Sequence, residues 1–286
     1  MLDDIPQDEF LYKGSTACAG CSAMLALRYI LKAAGKDTII VNPACCSTVC
    51  QGSFPRTAYG VPVLNIAFAA AAAAADGMAS AARNRGKHII VFAGDGGTVD
   101  IGIQALSGAI ERNANILYVC YDNEAYGNTG MQKSGSTPYG AITTTTPTGR
   151  KDSKKDIDFI VMAHRPAYMA TASASYPRDL LKKVQKALSI KGTKFIHVHA
   201  PCPTGWRYST EKSVEVGKLA VKSGMWFLYE YENGRVTLSA PTSAALKKPA
   251  PVEEYVGLQG RFKGVDLPGL KAEIAAGAER IRGLVA

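Results

Sequence analysis

Cysteine is the residue whose spacing says most about chemistry in this 286-residue chain. Cys18 and Cys21 form a Cys-x-x-Cys pair, Cys46 follows 25 residues after Cys21, and Cys202 stands far downstream in Ala200-Pro201-Cys202-Pro203. Four thiolates suit a soft metal, iron or zinc, and each must lose its proton to bind. The pair alone fits a thioredoxin-like redox couple equally well, and four cysteines fit a structural zinc. Cys50 and Cys120 read as buried apolar thiols.

A second feature is the run Ala93-Gly94-Asp95-Gly96-Gly97-Thr98. Glycines let backbone amides approach an anion. A carboxylate in such a loop repels a phosphate unless a divalent cation stands between them, so Asp95 reads as a Mg²⁺ ligand. Further oxygens are available in Asp122-Asn123-Glu124-Ala125-Tyr126-Gly127-Asn128-Thr129-Gly130. An ordinary strand-to-helix turn is the competing reading of Gly-Asp-Gly. A dinucleotide loop is disfavoured, because the Gly-x-Gly-x-x-Gly spacing is absent.

These residues need a frame. Apolar runs bounded by turn residues predict strands at 38–41, 63–66, 88–92, 116–121, 168–171 and 195–198, all expected to be buried on both faces. Helical patterns at 22–34, 67–84, 101–112, 157–165 and 177–189 alternate with them. The order implies an α/β fold: a doubly wound, mainly parallel sheet with helices on both faces and ligands beyond the carboxyl ends of its strands. From 210 to 286 the pattern loosens into a C-terminal extension, with a hairpin expected at Asn233-Gly234, distinct from the domain at 1–209 and expected to pack on partner subunits. His197 and His199 share one side of a strand, where buried, hydrogen-bonded roles are expected.

Composition sets limits. The net charge of +9 comes from scattered Lys and Arg with no nucleic-acid motif, so no nucleic-acid partner is expected. The longest apolar run, at 61–75, is interrupted by Pro62 and Asn65 and is mostly alanine after Phe68, so no membrane span is expected. The acidic N-terminus, residues 1–6, lacks the pattern of an export signal, so a cytoplasmic location is expected. Seven cysteines in a reducing compartment then favour ligands or buried thiols over disulfides.

Gly94-Asp95-Gly96, with Asn123 28 residues after Asp95, resembles the thiamine diphosphate motif. The resemblance implies that Asp95, the Asn123 side chain and the Ala125 carbonyl coordinate Mg²⁺, and that the amides of Gly94, Gly96 and Gly97 bind the diphosphate. The cysteine set resembles the cluster site of the pyruvate:ferredoxin oxidoreductases, which implies that Cys18, Cys21, Cys46 and Cys202 hold one 4Fe-4S cluster. Cys46 fits that spacing better than Cys45. The likeness to the β subunit of 2-oxoacid:ferredoxin oxidoreductases runs from about Gly14 to Trp206 and continues through 251–262.

It implies CoA-dependent oxidative decarboxylation of a 2-oxoacid to acyl-CoA and CO₂, with electrons passed to ferredoxin or another acceptor. An α subunit and further γ/δ-type subunits would complete the enzyme, which this chain alone would not be. Asn128 is implied as the catalytic, substrate-facing residue, and Asn128 and Thr129 as cofactor contacts. Pyruvate is the first choice of substrate. The small side chains at 69–75 leave a branched or aromatic 2-oxoacid, such as phenylglyoxylate, as the alternative. Two other classes compete: an iron–sulfur electron-transfer subunit without thiamine, and a non-oxidative thiamine enzyme with a structural zinc.

Overall fold

The computed structural model describes residues 5–81 and 86–285. Residues 1–4 of the acidic N-terminal stretch, and 82–84 of the predicted helix 67–84, lie outside them.

Strands β1 (Thr38–Pro43), β2 (Val63–Ile66), β3 (His88–Gly94), β4 (Leu117–Asp122), β5 (Tyr168–Ser173) and β6 (Lys194–His199) form one parallel array, ordered β2-β1-β3-β4-β6-β5. The inner strands are rich in branched and aromatic side chains, and β4, β5 and β6 are buried at every position. β2 departs from the expectation: it is the edge strand, with Leu64 and Asn65 exposed. Pairing on one side only leaves it open to solvent.

Helices Ser22–Ala34 and Pro177–Ser189 cover one face, and their Leu27, Ile30, Leu180 and Val184 join β3, β4 and β6 in one core. Helices Ala71–Ala81, Ile103–Glu111 and Ile157–Ala163 cover the other. Gly35 ends the first helix at φ 75°, a conformation that glycine adopts without steric cost. The helix expected from 101 begins at Ile103, after a π-helical turn over Gly96–Asp100. Such wide turns leave backbone groups free and often mark functional sites.

The segment after 209 continues the same sheet. β7 (Tyr229–Glu232) pairs antiparallel with β5, and β8 (Arg235–Leu238) with β7, across the Asn233-Gly234 turn. A third core, built on Trp206, Trp226, Tyr255 and Phe262, ties the tail to the segment after β6. No helix of the described residues is long and apolar enough to cross a membrane.

The chain winds from β1 outward to β2, then back across to β3. That reversal opens a crevice beyond the carboxyl ends of β1 and β3, the place where doubly wound sheets bind ligands.

Candidate active site

The loop after β3 and the loop after β4 meet at that crevice. The Asn123 side-chain oxygen lies 2.8 Å from the Ala125 carbonyl oxygen and 2.9 Å from Asp95 Oδ1. Turning the amide over would let its nitrogen donate to both. In the present orientation the nitrogen instead points at Cys46 Sγ, 4.0 Å away, and the side-chain oxygen has two further acceptor oxygens within 2.9 Å. Octahedral Mg²⁺ at its usual bond length sets neighbouring ligand oxygens about 2.9 Å apart. The donor set and its spacing therefore fit that cation.

Local structure explains the convergence. Glu124, between the two donors, adopts φ 59°, which turns the Asn123 side chain and the Ala125 carbonyl to the same side. Asp122 Oδ1 accepts from the Glu124 amide at 2.8 Å, and Thr137 Oγ1 donates to the Glu124 carbonyl at 2.6 Å. Asp95 is buried, and its Oδ2 accepts from Ser134 Oγ at 2.5 Å. Burial, with Asp122 nearby, pushes the Asp95 carboxyl well above the usual carboxylate range. A carboxylate so placed calls for a cation.

The crevice is a cavity of about 200 Å³ lined by Gly94–Gly97 on one side and by Asn123 and Ala125 to Thr129 on the other, with Cys45 and Phe68. Glycine is required in its wall: a Cβ at Gly96 would lie 2.4 Å from the Tyr126 ring, and one at Gly97 2.9 Å from Phe68. Tyr126 donates to Asp100 Oδ2 at 2.9 Å, which fixes its ring over the glycines. Asn128 and Thr129 sit at the exposed rim. A larger hollow of about 580 Å³ lies under helix Leu267–Val285 and contains none of the residues that the motifs single out.

Among the four spaced cysteines, Cys46 and Cys202 are each influenced by the charge of the others. Cys46 is pushed up to about 12, first by burial and then by Cys202 and Cys21; Cys202 rises to about 11 by burial, with Cys21 and Cys18 adding to it. Cys21 falls to about 7 because the Cys50 thiol hydrogen-bonds to it. Cys50 is buried in the first core, as expected. Cys45 lies beside the glycine loop: its sulfur would be 3.1 Å from a Cβ at Gly97. Among the described residues, no three His, Cys, Asp or Glu side chains converge as a single-ion site.

Several residues at the site carry no motif signal. Ser134 holds Asp95, and Trp206 Nε1 donates to the Asn123 carbonyl at 2.8 Å. Met131 lies against the Gly205 position beside Cys202 and the Gly127 position beside Cys46. Spacing could not reveal them, because each acts from a loop distant in sequence. His197 is buried as expected, bridging Asp122 Oδ2 and Asp158 Oδ1 at 2.8 Å each. Burial alone would lower its pKa, but the two carboxylates hold it well above the usual histidine range. His199 is buried too, but its Nδ1 has no hydrogen-bond partner.

The model of the thiamine pyrophosphate enzymes' C-terminal TPP-binding domain matches residues 19–198. That match and the crevice define the class, a thiamine pyrophosphate-binding α/β domain. The chain is 49% identical over 272 residues to ketoisovalerate oxidoreductase subunit VorB of Pyrococcus furiosus, covering 91% of this chain and 87% of that one. It is 49% identical over 269 residues to pyruvate synthase subunit PorB of Methanothermobacter marburgensis, covering 91% of each. The chain belongs to the β subunits of the 2-oxoacid:ferredoxin oxidoreductases. A solved 2-oxoglutarate:ferredoxin oxidoreductase from Magnetococcus marinus shares the fold, with a TM-score of 0.63 at 20% identity over 95% of this chain and 96% of that one.

Proposed function

We propose that this chain holds Mg²⁺–thiamine diphosphate and one 4Fe-4S cluster in a complex that converts a 2-oxoacid and CoA to acyl-CoA, CO₂ and a proton. The two electrons leave singly through the cluster to ferredoxin. The observation that carries the reading is the meeting of Asp95 Oδ1, the Asn123 side-chain oxygen and the Ala125 carbonyl at octahedral-edge spacing. Thiamine diphosphate, when bound, supplies a carbon nucleophile and an electron sink.

This chain's residues bind and orient. Asp95, Asn123 and Ala125 would hold the cation, with Ser134 fixing the second Asp95 oxygen. The amides of Gly94, Gly96 and Gly97 would take the diphosphate, and Thr129 would support it from the rim. Asn128, beside Thr129, is assigned to the substrate. Cys18, Cys21, Cys46 and Cys202 would hold the cluster. Cys46 is 4.0 Å from the Asn123 amide nitrogen, so the two sites adjoin and electron transfer between them is short.

An α subunit and γ/δ-type subunits would supply the groups this chain lacks, and a reducing cytoplasm suits its thiolates. Pyruvate is the proposed substrate: the Phe68 and Tyr126 rings, 6.2 Å apart edge to face, narrow the crevice over the glycines. A branched 2-oxoacid is the second reading, favoured by equal identity to a relative named for ketoisovalerate. The test is turnover of the assembled complex with a viologen acceptor across a series of 2-oxoacids, with and without Asp95→Ala. Unchanged turnover in that variant would overturn the thiamine assignment. Fastest turnover on ketoisovalerate would overturn the choice of pyruvate.

A further inference from the structure

The tail after 209 reaches back into the site. Arg261, 3% exposed, places Nη1 2.7 Å from Glu124 Oε2, itself 2% exposed. That oxygen has no aligned hydrogen-bond donor, so the contact acts by charge in a medium that screens it little. The guanidinium also lies 3.5 Å above the Trp206 ring. Trp206 holds the Asn123 carbonyl and ends the helical turn that Cys202 caps. Gln259 Oε1 accepts from Arg261 Nε at 2.9 Å, and Tyr255 Oη from Nη2 at 3.1 Å. The Arg261 carbonyl accepts from the Ile142 amide at 2.7 Å.

Glu124 is the residue between the two proposed metal donors, and its backbone is left-handed where the Asn123 side chain and the Ala125 carbonyl come within 2.8 Å of each other. A non-glycine residue stays in that conformation only where its surroundings over-determine it. The amide side is held by Asp122 and the carbonyl side by Thr137. The side chain is held by Arg261.

We propose that Arg261 is a positioning residue for the thiamine metal: by pairing with Glu124 and stacking on Trp206 it keeps Asn123 and Ala125 aimed at the cation. The inference rests on the thiamine reading above and adds to it that the tail sets the affinity of the metal loop. The ion pair cannot be halved at low cost, because either partner left alone is a buried, uncompensated charge. Lysine is no substitute, since it lacks the planar fork that stacks and pairs at once.

The test uses the assembled complex carrying Arg261→Met, Arg261→Lys, Glu124→Gln or the Met/Gln double change. The Kd for Mg²⁺–thiamine diphosphate is read by quenching of protein fluorescence, and kcat is read at saturating cofactor. Each single variant should bind about tenfold more weakly or worse, and the double variant no more weakly than the worse single, since paired residues are not additive. Excess Mg²⁺ and cofactor should restore kcat to within about threefold, which general loss of structure would not allow. Arg261→Met binding within twofold of the unchanged complex, or effects that simply multiply in the double variant, would overturn the proposal. Should Arg261→Met fail to assemble, the nearly isosteric Glu124→Gln decides by the same criterion. An unchanged complex that binds no thiamine diphosphate would overturn the thiamine reading, and this inference with it. Tight binding by every variant would overturn the inference alone.

Discussion

The Asn123 side-chain oxygen and Asp95 Oδ1 stand 2.9 Å apart, two acceptors facing each other across the crevice. Such a contact is stable with a cation beside both oxygens, with a proton on Asp95, or with the amide turned over. The buried carboxylate is costly in the absence of metal, so function and stability are opposed at this residue.

Asp95→Asn should therefore lose thiamine diphosphate binding and lower turnover of the complex by at least about 100-fold, yet leave the metal-free chain no less stable. The sign follows from the raised pKa: ionising Asp95 in the fold costs stability at neutral pH, and the amide removes that cost. Melting curves without Mg²⁺ check it, and a clear drop in the midpoint of the variant would contradict the argument.

Ser134→Ala removes the donor to Asp95 Oδ2 and leaves the metal donors in place. A hydrogen bond to a charged group contributes about 1.5–3 kcal/mol, so cofactor binding should weaken roughly 10- to 100-fold. Ser134→Thr retains the hydroxyl and should recover part of the loss. Calorimetric titration of both variants with Mg²⁺–thiamine diphosphate measures it; equal affinity for the alanine and wild-type forms would refute the support role.

Cys45 and Cys46 are adjacent in sequence and both border the crevice, but Cys45 Sγ lies by Gly97 and Cys46 Sγ by Gly127 and Asn123. Cys46→Ser and Cys202→Ser should strip iron and bleach the absorbance near 400 nm of anaerobically purified protein. Cys45→Ser should retain both, because its sulfur lies toward Gly97. Iron analysis decides; an iron-replete Cys46→Ser protein would reverse the ligand assignment.

His199 gives the expected acid dependence. Burial drives its pKa from 6.5 to about 3, so between those values the unfolded chain takes up a proton that the folded chain refuses. Its contribution is complete above pH 6.5 and is lost as the pH falls toward 3, on the order of 5 kcal/mol across the window. His199→Phe should flatten this part of the stability–pH curve relative to wild type. Parallel urea-unfolding curves for the two proteins at pH 4 and pH 7 would show the reasoning to be wrong.

The sheet was legible in the sequence because its inner strands are continuous apolar runs punctuated by turns, and such runs report burial directly. β2 misled: Val63–Ile66 has the composition of a core strand but lies at the edge, and position within a sheet leaves no mark on a four-residue run. Phe54 and Tyr126 show the same limit. An aromatic side chain is more often core than surface, yet Phe54 is 97% exposed and Tyr126 lines the crevice.

The sequence by itself determined the donors: a carboxylate between glycines, an amide at the end of the next strand, and four thiols at intervals set by the turns between elements. Those residue types fix what chemistry can occur, since affinity for a hard or a soft metal resides in the side chain. Only the tertiary structure decided that Ser134 and Trp206 brace the loops, and that Arg261 returns from the tail to pair with Glu124. These contacts join positions as much as 137 residues apart, and such pairings are chosen by the packing of the whole chain, which no local spacing encodes.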